Sequence, residues 1–401
     1  MMNKKAFAVI VSTMFISMLG MGIVVPLLPI YADTMGASAL EIGLINAGFS
    51  ITLTIFLPIM GKFSDRMGRK KFLCAGLSCF TIASLGFLWA RNPFQLIMVR
   101  CFQGFSATMH LPLAQAYLGD ITPKGGEGKW MGYFNAVLFS GMGLGPLFGG
   151  VLTDLFSINA TFLVMAALSL IGLIATIIFL PEVHDKTTVQ KQGMSFAYLR
   201  KSDIMKGAFA FRMATGFATA CYMTFLPLFA SNNLGLSTSL IGLLLASRTP
   251  MALVQSLTGR LADKYNRRIM VIFGGACALI SMVILPTVGS FWPLLALYSC
   301  TAAGIALALP AATAFVVEEG RVFGMGASMA LFMMAMQIGN GVGPILLGGV
   351  VDVLGIKSAF LAGAGILMIG IFVFIWFTRK YSPGKRSSMA GGRTIMPPPQ
   401  S

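Results

Sequence analysis

Long apolar stretches recur along almost the whole 401-residue chain. A helix that crosses a bilayer needs about 20 predominantly apolar residues, and each of these stretches is long enough to do so. The sequence therefore predicts an all-α polytopic membrane protein with twelve transmembrane helices. The expected spans lie at roughly 6–31, 41–60, 72–90, 94–118, 131–153, 160–180, 207–230, 239–258, 269–289, 292–316, 323–350 and 359–378.

The composition excludes a water-soluble enzyme. Only 10% of the residues are charged, whereas soluble domains carry about 25%, and the mean hydropathy is +0.83. The sequence contains no metal-ligand spacing, nucleophile–base pair or phosphate-binding loop. We therefore expect no enzymatic activity, no cofactor and no metal, and we expect the lipid bilayer to be the solvent for most of the surface.

The distribution of basic residues predicts the orientation. With the N-terminus placed in the cytoplasm, 24 of the 29 Lys and Arg residues fall in cytoplasmic segments, whereas only Arg91 and Lys357 fall in outer loops. Basic residues concentrate in cytoplasmic loops, so both termini are expected to be cytoplasmic, in the inner membrane of a prokaryote. This asymmetry accounts for the net charge of +16 without a nucleic-acid partner.

An internal repeat at an offset of 198 residues divides the chain. Pro29, Pro112 and Asp154 correspond to Pro227, Pro310 and Asp352, and the segment 61–66 corresponds to 259–264. A shared offset predicts two parallel six-helix repeats. The predicted units are an N-terminal bundle at 1–181, a cytoplasmic linker at 182–206, a C-terminal bundle at 207–378 and a disordered cytoplasmic tail at 379–401.

The segment Gly61–Lys70 between the second and third spans carries a motif. It resembles the GxxxDRxGR[KR] motif of the major facilitator superfamily, which implies that fold and a latch that stabilises one conformation. Glycines permit close helix approach, and a carboxylate can cap a helix N-terminus. The alternative is a solvated charge run that only fixes orientation. The candidate latch residues are Gly61, Asp65, Arg66, Gly68, Arg69 and, in the second copy, Asp263.

A glycine-rich segment in the fifth span resembles the antiporter motif of the same superfamily. Small residues at a spacing of four form a flat face for helix packing, and proline bends the helix. The resemblance implies a twelve-span drug/proton antiporter, whereas the residues alone are also compatible with ordinary packing. The motif residues are Gly141, Gly145, Pro146, Gly149 and Gly150.

The fourth span, expected as one continuous helix, contains Arg100-Cys101-Phe102-Gln103-Gly104. This segment resembles the RxxQG segment that the family associates with proton coupling. His110 follows in the same span, and a histidine can titrate near neutral pH, although a buried histidine is more often a packing residue. The candidate proton-coupling residues are Arg100, His110, Asp33 and Asp120.

Arginines inside the spans are the main candidates for substrate binding. A charged side chain in a membrane helix usually faces a cavity or a partner, and Arg248 lies near the middle of its span. Arg212 lies closer to the inner end, and no carboxylate lies in the middle of any span. Tyr222, Gln337 and Met334 complete the predicted pocket, with lipid-facing or packing roles as the alternative.

These features predict a monomeric secondary transporter that works by alternating access. The expected function is proton-coupled efflux of small amphipathic molecules, so that the partners are a small-molecule substrate and protons. The alternative is transport of an anionic metabolite or a lipid-like anion by the intramembrane arginines. A non-transporting receptor or scaffold is disfavoured because the longest cytoplasmic loop, 182–206, is short.

Overall fold

The computed structural model describes residues 4–122, 127–182, 202–251, 258, 265–323 and 325–379. Apart from one 3₁₀ turn at Leu285–Thr287, all regular structure in these residues is α-helical. The N-terminal helices are α1 Lys4–Val24, α2 Leu28–Thr34, α3 Ala39–Met67, α4 Arg69–Trp89, α5 Pro93–Ala107, α6 Leu111–Ile121, α7 Glu127–Leu155 and α8 Ile158–Phe179. The C-terminal helices are α9 Asp203–Asn232, α10 Thr238–Ala246, α11 Arg267–Ile284, α12 Phe291–Phe323, α13 Met325–Leu354 and α14 Lys357–Thr378.

Short polar residues begin many of these helices. Ser38 forms a capping box at the start of α3, in which its Oγ accepts the N–H of Glu41 and the Glu41 carboxylate accepts the N–H of Ser38 at 2.8 Å. Such caps satisfy the free N–H groups of a first turn. Side chains of Asn92, Ser157, Ser202 and Ser237 cap α5, α8, α9 and α10 in the same way.

Ten helical segments of the described chain are long and apolar enough to cross a membrane, so the protein is a multi-pass membrane protein. The predicted count of twelve spans stays a prediction. The expectation of an unbroken fourth span is wrong, because the helix is interrupted at Thr108–His110 and α6 restarts with Pro112 in its first turn. In the expected eighth span, α10 ends at Ala246 and a turn follows at residues 247–248. Residues 249–251 are helical again, and residues 252–257 lie outside the description.

The exterior of the bundle is apolar, as lipid contact requires. Ile174 and Ile178 on α8 and Phe372 and Trp376 on α14 are about half or more exposed. In water, such contiguous apolar surface would favour aggregation. The apolar stretches of the sequence therefore serve both the packed interior and the lipid-facing surface.

Helix packing connects the N-terminal and C-terminal helices along two lines. Within the N-terminal helices α1 packs on α7 and α8, and within the C-terminal helices α9 packs on α13 and α14. Between the two sets, α3 packs against α13 and α10 packs against α7. The short helix α2 also approaches α9.

The end of the bundle where α7 finishes and α10 begins is called the Asp154 face below. The hydrogen bonds described between the two sets of helices lie in the half of the bundle nearest this face. On the opposite half, a Cβ on Gly61 would find no atom within 4 Å. The described contacts between the two sets of helices therefore join them at the Asp154 face.

Candidate functional site

Two aspartates close the Asp154 face by binding helix N-termini of the other set. Asp154, at the end of α7, accepts the backbone N–H groups of Thr238 and Ser239 at 3.1 and 2.8 Å. The Thr238 hydroxyl donates to the same carboxylate at 2.5 Å. An anion at a helix N-terminus is favourable because the first-turn N–H groups are free and the helix dipole is positive there.

Asp352, at the end of α13, makes the corresponding contact with α3. Its carboxylate accepts the backbone N–H groups of Ala39 and Leu40 at 2.7 and 3.0 Å. Asp33 at the end of α2 accepts the side-chain amide of Asn232 at 2.9 Å. Three carboxylates therefore link the N-terminal and C-terminal helices on one face.

The glycine-rich segment of α7 lies against α1 and α10. A Cβ on Gly141 would lie 2.8 Å from the Phe15 carbonyl oxygen, and one on Gly145 would lie 2.5 Å from the Gly22 Cα. Gly149 faces Ile23 of α1, whereas Gly150 faces Thr238 of α10. No larger residue fits at such distances, so these positions set how closely the helices pack. Pro146 lies within α7 between them.

The proposed latch segment is only partly described. Gly68 has φ 95°, a conformation suited to glycine, and it separates α3 from α4. The first part of the segment is helical rather than a loop, because α3 continues to Met67. Among the described residues, no atom lies within 4 Å of a Cβ built on Gly61, so its close packing stays a prediction. The side chains of Asp65 and Arg66, and all of Asp263, lie outside the described residues, and Arg69 begins α4.

The candidate proton-coupling residues are not brought together. Arg100 is buried; it donates to Gln103 Oε1 at 2.5 Å and its guanidinium carbon lies 4.7 Å from the Phe49 ring centre. His110 is buried edge-on against Phe80, with Nδ1 3.3 Å from the Ser106 carbonyl oxygen. Asp33 lies at the Asp154 face, and the side chain of Asp120 is outside the description.

Arg212 projects from the inner half of α9 onto α13. Its guanidinium carbon lies 5.2 Å from the Phe332 ring centre, and Nη2 lies 2.8 Å from the Met336 sulfur. Its Nε is buried and has no acceptor within the part of the chain that is described. A thioether sulfur is a weak acceptor, so this guanidinium has no strong partner there.

Arg248 lies at the turn that follows α10 and is partly exposed. Its charge is close enough to act on Arg212 and on the hydroxyl of Tyr298. The Tyr298 hydroxyl is buried and has no hydrogen-bond partner among the described residues. Ser247, next to Arg248, lies 3.4 Å from Ser299 of α12, hydroxyl to hydroxyl, so the end of α10 lies against the part of α12 that carries Tyr298.

The other predicted pocket residues divide into two kinds. Tyr222 is 2% exposed, bonds Thr301 at 3.0 Å through its hydroxyl and packs on Tyr298 and Phe360. In this conformation it packs among the C-terminal helices, and its place in the substrate pocket stays a prediction. Met334 and Gln337 on α13 keep partial exposure.

Sequence reasoning missed the role of Asp154 and Asp352. Both were visible as partners at the 198-residue offset, but their roles depend on which helix N-terminus lies opposite each of them. It also missed Asn46, whose side-chain amide donates to Thr224 at 3.0 Å between α3 and α9. The signal available for Asn46 was a polar amide within an apolar span.

The model of the Major Facilitator Superfamily matches residues 10–247 and 208–398. The chain belongs to the major facilitator superfamily. It is therefore a transporter of small-molecule substrates in a membrane, and it is not an enzyme. The resemblance inferred from the two glycine-containing motifs is confirmed.

Similar proteins include transporters from bacteria and archaea. An uncharacterized MFS-type transporter of Methanocaldococcus jannaschii is 29% identical over 94% of this chain and 99% of its own length. Multidrug resistance protein 2 of Bacillus subtilis is 26% identical over 94% of this chain and 96% of its own length. Quinolone resistance protein NorA of Staphylococcus aureus is 23% identical over 93% and 96%. Two of these relatives are thus named for resistance to drugs.

Solved structures with the same fold come from several kinds of transporter. A bacterial homolog of the human lysosomal transporter Spinster, inward-facing and unoccupied, superposes with a TM-score of 0.78 at 14% identity over 94% of this chain and 98% of that one. The nucleoside transporter NupG gives 0.78 at 16% identity over 95% and 100%. At such identities these structures establish the fold and leave the substrate open.

Proposed function

We propose that this protein exports small amphipathic molecules in exchange for protons and works by alternating access. In this proposal it is a monomer in the inner membrane of a prokaryote, with both termini cytoplasmic. Two six-helix bundles, 1–181 and 207–378, rock about a central site and are joined by the linker 182–206, and the tail 379–401 lies in the cytoplasm. No step requires covalent chemistry.

The observation that carries the proposal is the closure of the Asp154 face. Asp154 and Asp352 bind the N-termini of α10 and α3, and each contact joins an N-terminal helix to a C-terminal one. In the predicted orientation this face lies outside. The conformation is then closed to the exterior, which is one of the two states that alternating access requires.

The relatives support the substrate class. Two of them are named for multidrug resistance or quinolone resistance and match the chain along nearly its whole length. Met334 and Met336 on α13 are partly exposed. Their flexible thioether side chains would let a pocket adapt to apolar molecules of different shapes.

Proton coupling is assigned to the buried polar group of α5 and the turn that follows it. Arg100 is held by Gln103, and His110 lies at the helix interruption. A charge buried among apolar helices is costly. A conformational change that alters the surroundings of the Arg100 guanidinium therefore changes the relative stability of the two conformations. This group is thus suited to link protonation to the closure of the bundle.

The experiment measures dye uptake into everted membrane vesicles energised by respiration. Vesicles that contain the protein should accumulate a fluorescent lipophilic dye, and a protonophore should abolish the accumulation. Uptake equal to that of vesicles without the protein would refute export. Arg100→Gln should lose proton-driven uptake and retain dye exchange without a gradient, whereas Arg91→Gln, at an exposed outer position, should behave like the wild type.

A further inference from the structure

We infer that Arg212 and Arg248 form a binding site for the anionic head group of an amphipathic substrate. The inference rests on the proposed export function and specifies the substrate class. The site lies among α9, α10, α12 and α13, all of them C-terminal helices. It takes a carboxylate, sulfonate or phosphate attached to an apolar body.

The first argument is that Arg212 has no counter-ion among the described residues. All 13 acidic residues of the sequence lie in loops or near the ends of the spans. Of those near the inner end of α12, Glu318 pairs with Arg267 at 3.1 Å and Glu319 accepts the Ser202 hydroxyl at 2.6 Å. Neither is therefore free to neutralise Arg212.

The second argument is that the donors of Arg212 are poorly used. Among the described residues, Nη2 meets only the Met336 sulfur and Nε meets no acceptor. A guanidinium presents five N–H donors in a planar fork that matches a carboxylate or phosphate. A buried guanidinium whose donors lack acceptors is costly, and it becomes favourable when an anion accepts its hydrogen bonds.

The third argument is the presence of a second positive charge. Ser247 Oγ lies 3.4 Å from Ser299 Oγ, which places the neighbouring residues Arg248 and Tyr298 in the same region, and the positive charge of Arg248 acts repulsively on that of Arg212. An anion between the two guanidinium groups replaces this repulsion by two attractions, which are strong where water is scarce. The phenol adds one neutral donor.

The surroundings explain why the ligand is amphipathic. The Arg212 guanidinium lies over the Phe332 ring, next to Met336. These side chains offer an apolar surface at the same place as the charge, and methionine adapts to different shapes. Arg100 differs in that its guanidinium donates to Gln103 Oε1 at 2.5 Å, although its Nε also has no acceptor among the described residues.

The test compares three probes that differ only in the head group. Protein in phosphatidylcholine nanodiscs is titrated with 11-(dansylamino)undecanoate, with its methyl ester and with the matching trimethylammonium compound, and dansyl fluorescence reports binding. We expect the carboxylate to bind about tenfold more tightly than the ester, as charge-assisted hydrogen bonds imply. Equal binding of carboxylate and ester, or tightest binding of the ammonium compound, overturns the inference.

Variants identify the residues responsible. Arg212→Gln and Arg248→Gln should each weaken carboxylate binding about tenfold and leave ester binding within about twofold. Lys357→Gln, at the exposed start of α14, removes one positive charge elsewhere and should change neither. If a Gln variant does not fold, Arg212→Lys, which keeps the charge and loses the fork, should retain a reduced preference for the carboxylate. Wild-type carboxylate affinity in the arginine variants overturns the inference.

Two further measurements separate related outcomes. Replacing phosphatidylcholine with phosphatidylglycerol shows whether a lipid head group competes for the site, in which case the anion belongs to a membrane lipid rather than to a free amphiphile. Flux of the three probes in energised vesicles separates the proposals. Transport of the ammonium compound alone supports the export proposal and overturns the anion site. Arginine-dependent binding of the carboxylate without any flux supports the anion site and overturns the export proposal.

Discussion

Asp154 Oδ2 accepts the backbone N–H of Ser239 at 2.8 Å and so joins the last turn of α7 to the first turn of α10. Asp352 does the same for α3 through Ala39 and Leu40. Each aspartate ends a helix that contains a Gly-x-Gly-Pro segment, and each binds a helix that packs against its own. Closure of this face therefore combines close backbone packing with a carboxylate at a helix N-terminus.

Removing the charge of these two aspartates should open the Asp154 face. Asp154→Asn and Asp352→Asn each remove a favourable anion from a helix N-terminus, a loss of about 1 kcal/mol and thus about fivefold in the closed-to-open ratio. Spin labels at Trp89→Cys and Trp292→Cys, two exposed positions on this face, should report a larger fraction of long distances by double electron–electron resonance. The double variant should show the largest shift.

The matched control for this experiment is Asp203→Asn. Asp203 lies in the first turn of α9, at the opposite end of the bundle, and pairs with Lys206 of its own helix at 2.8 Å. It loses the same charge without touching a contact between the two sets of helices. A distance distribution that changes equally in Asp203→Asn would show that charge removal acts through general destabilisation.

Enlarging Gly145 should destabilise the fold by separating α1 from α7. A Cβ at this position would lie 2.5 Å from Gly22 Cα, a backbone atom that can move only with its helix. Gly145→Val should therefore lower the free energy of unfolding by about 1–3 kcal/mol. Thermal denaturation in detergent measures the effect.

Gly132 on the same helix provides the comparison for Gly145. No atom lies within 4 Å of a Cβ built there, so Gly132→Ala should be neutral or stabilise α7 by up to about 1 kcal/mol through helix propensity. An unchanged melting temperature in Gly145→Val would contradict the close-packing role of the glycine-rich segment.

Tyr222→Phe should affect stability and leave substrate binding unchanged. The Tyr222 hydroxyl bonds Thr301 at 3.0 Å within the C-terminal helices, and the ring is 2% exposed. Loss of this bond should lower the free energy of unfolding by about 1 kcal/mol. Thr301→Val should not add further loss in the double variant, because both changes remove the same interaction. A weaker affinity of Tyr222→Phe for any transported probe would show that Tyr222 contributes to the substrate pocket.

Much of the fold could be predicted from the sequence because lipid imposes a simple rule. Apolar stretches of sufficient length must be helical, since the bilayer offers no hydrogen-bond partner to the backbone, and the helices α4, α8 and α14 lie close to their predicted spans. The interruption at Thr108–His110 was not predicted, although Pro112 in the same span cannot donate a hydrogen bond to the Thr108 carbonyl and so favours a break at that point.

The site was less predictable because it depends on neighbours from distant parts of the chain. The sequence identified Arg212 and Arg248 as charges that need partners, but only the fold places them beside Tyr298 and Phe332. The packing of Tyr222 depends on such neighbours as well. Its aromatic type suits a pocket, whereas its direction on α9 points it at α12 and α14.

The hydrogen bond between Asn46 and Thr224 should stabilise the closed state of the Asp154 face independently of Asp154 and Asp352. The Asn46 amide on α3 donates to the Thr224 hydroxyl on α9 at 3.0 Å, and Thr224 is fully buried. Asn46→Ala and Thr224→Val should each shift the Trp89–Trp292 label distances toward the open state. A double-mutant cycle should give a coupling of about 0.5–1.5 kcal/mol, the usual net value of one hydrogen bond. Thr219→Val is the control, because the Thr219 hydroxyl bonds the Thr215 carbonyl within α9; additive effects of the two main substitutions would show that the contact does not hold the face closed.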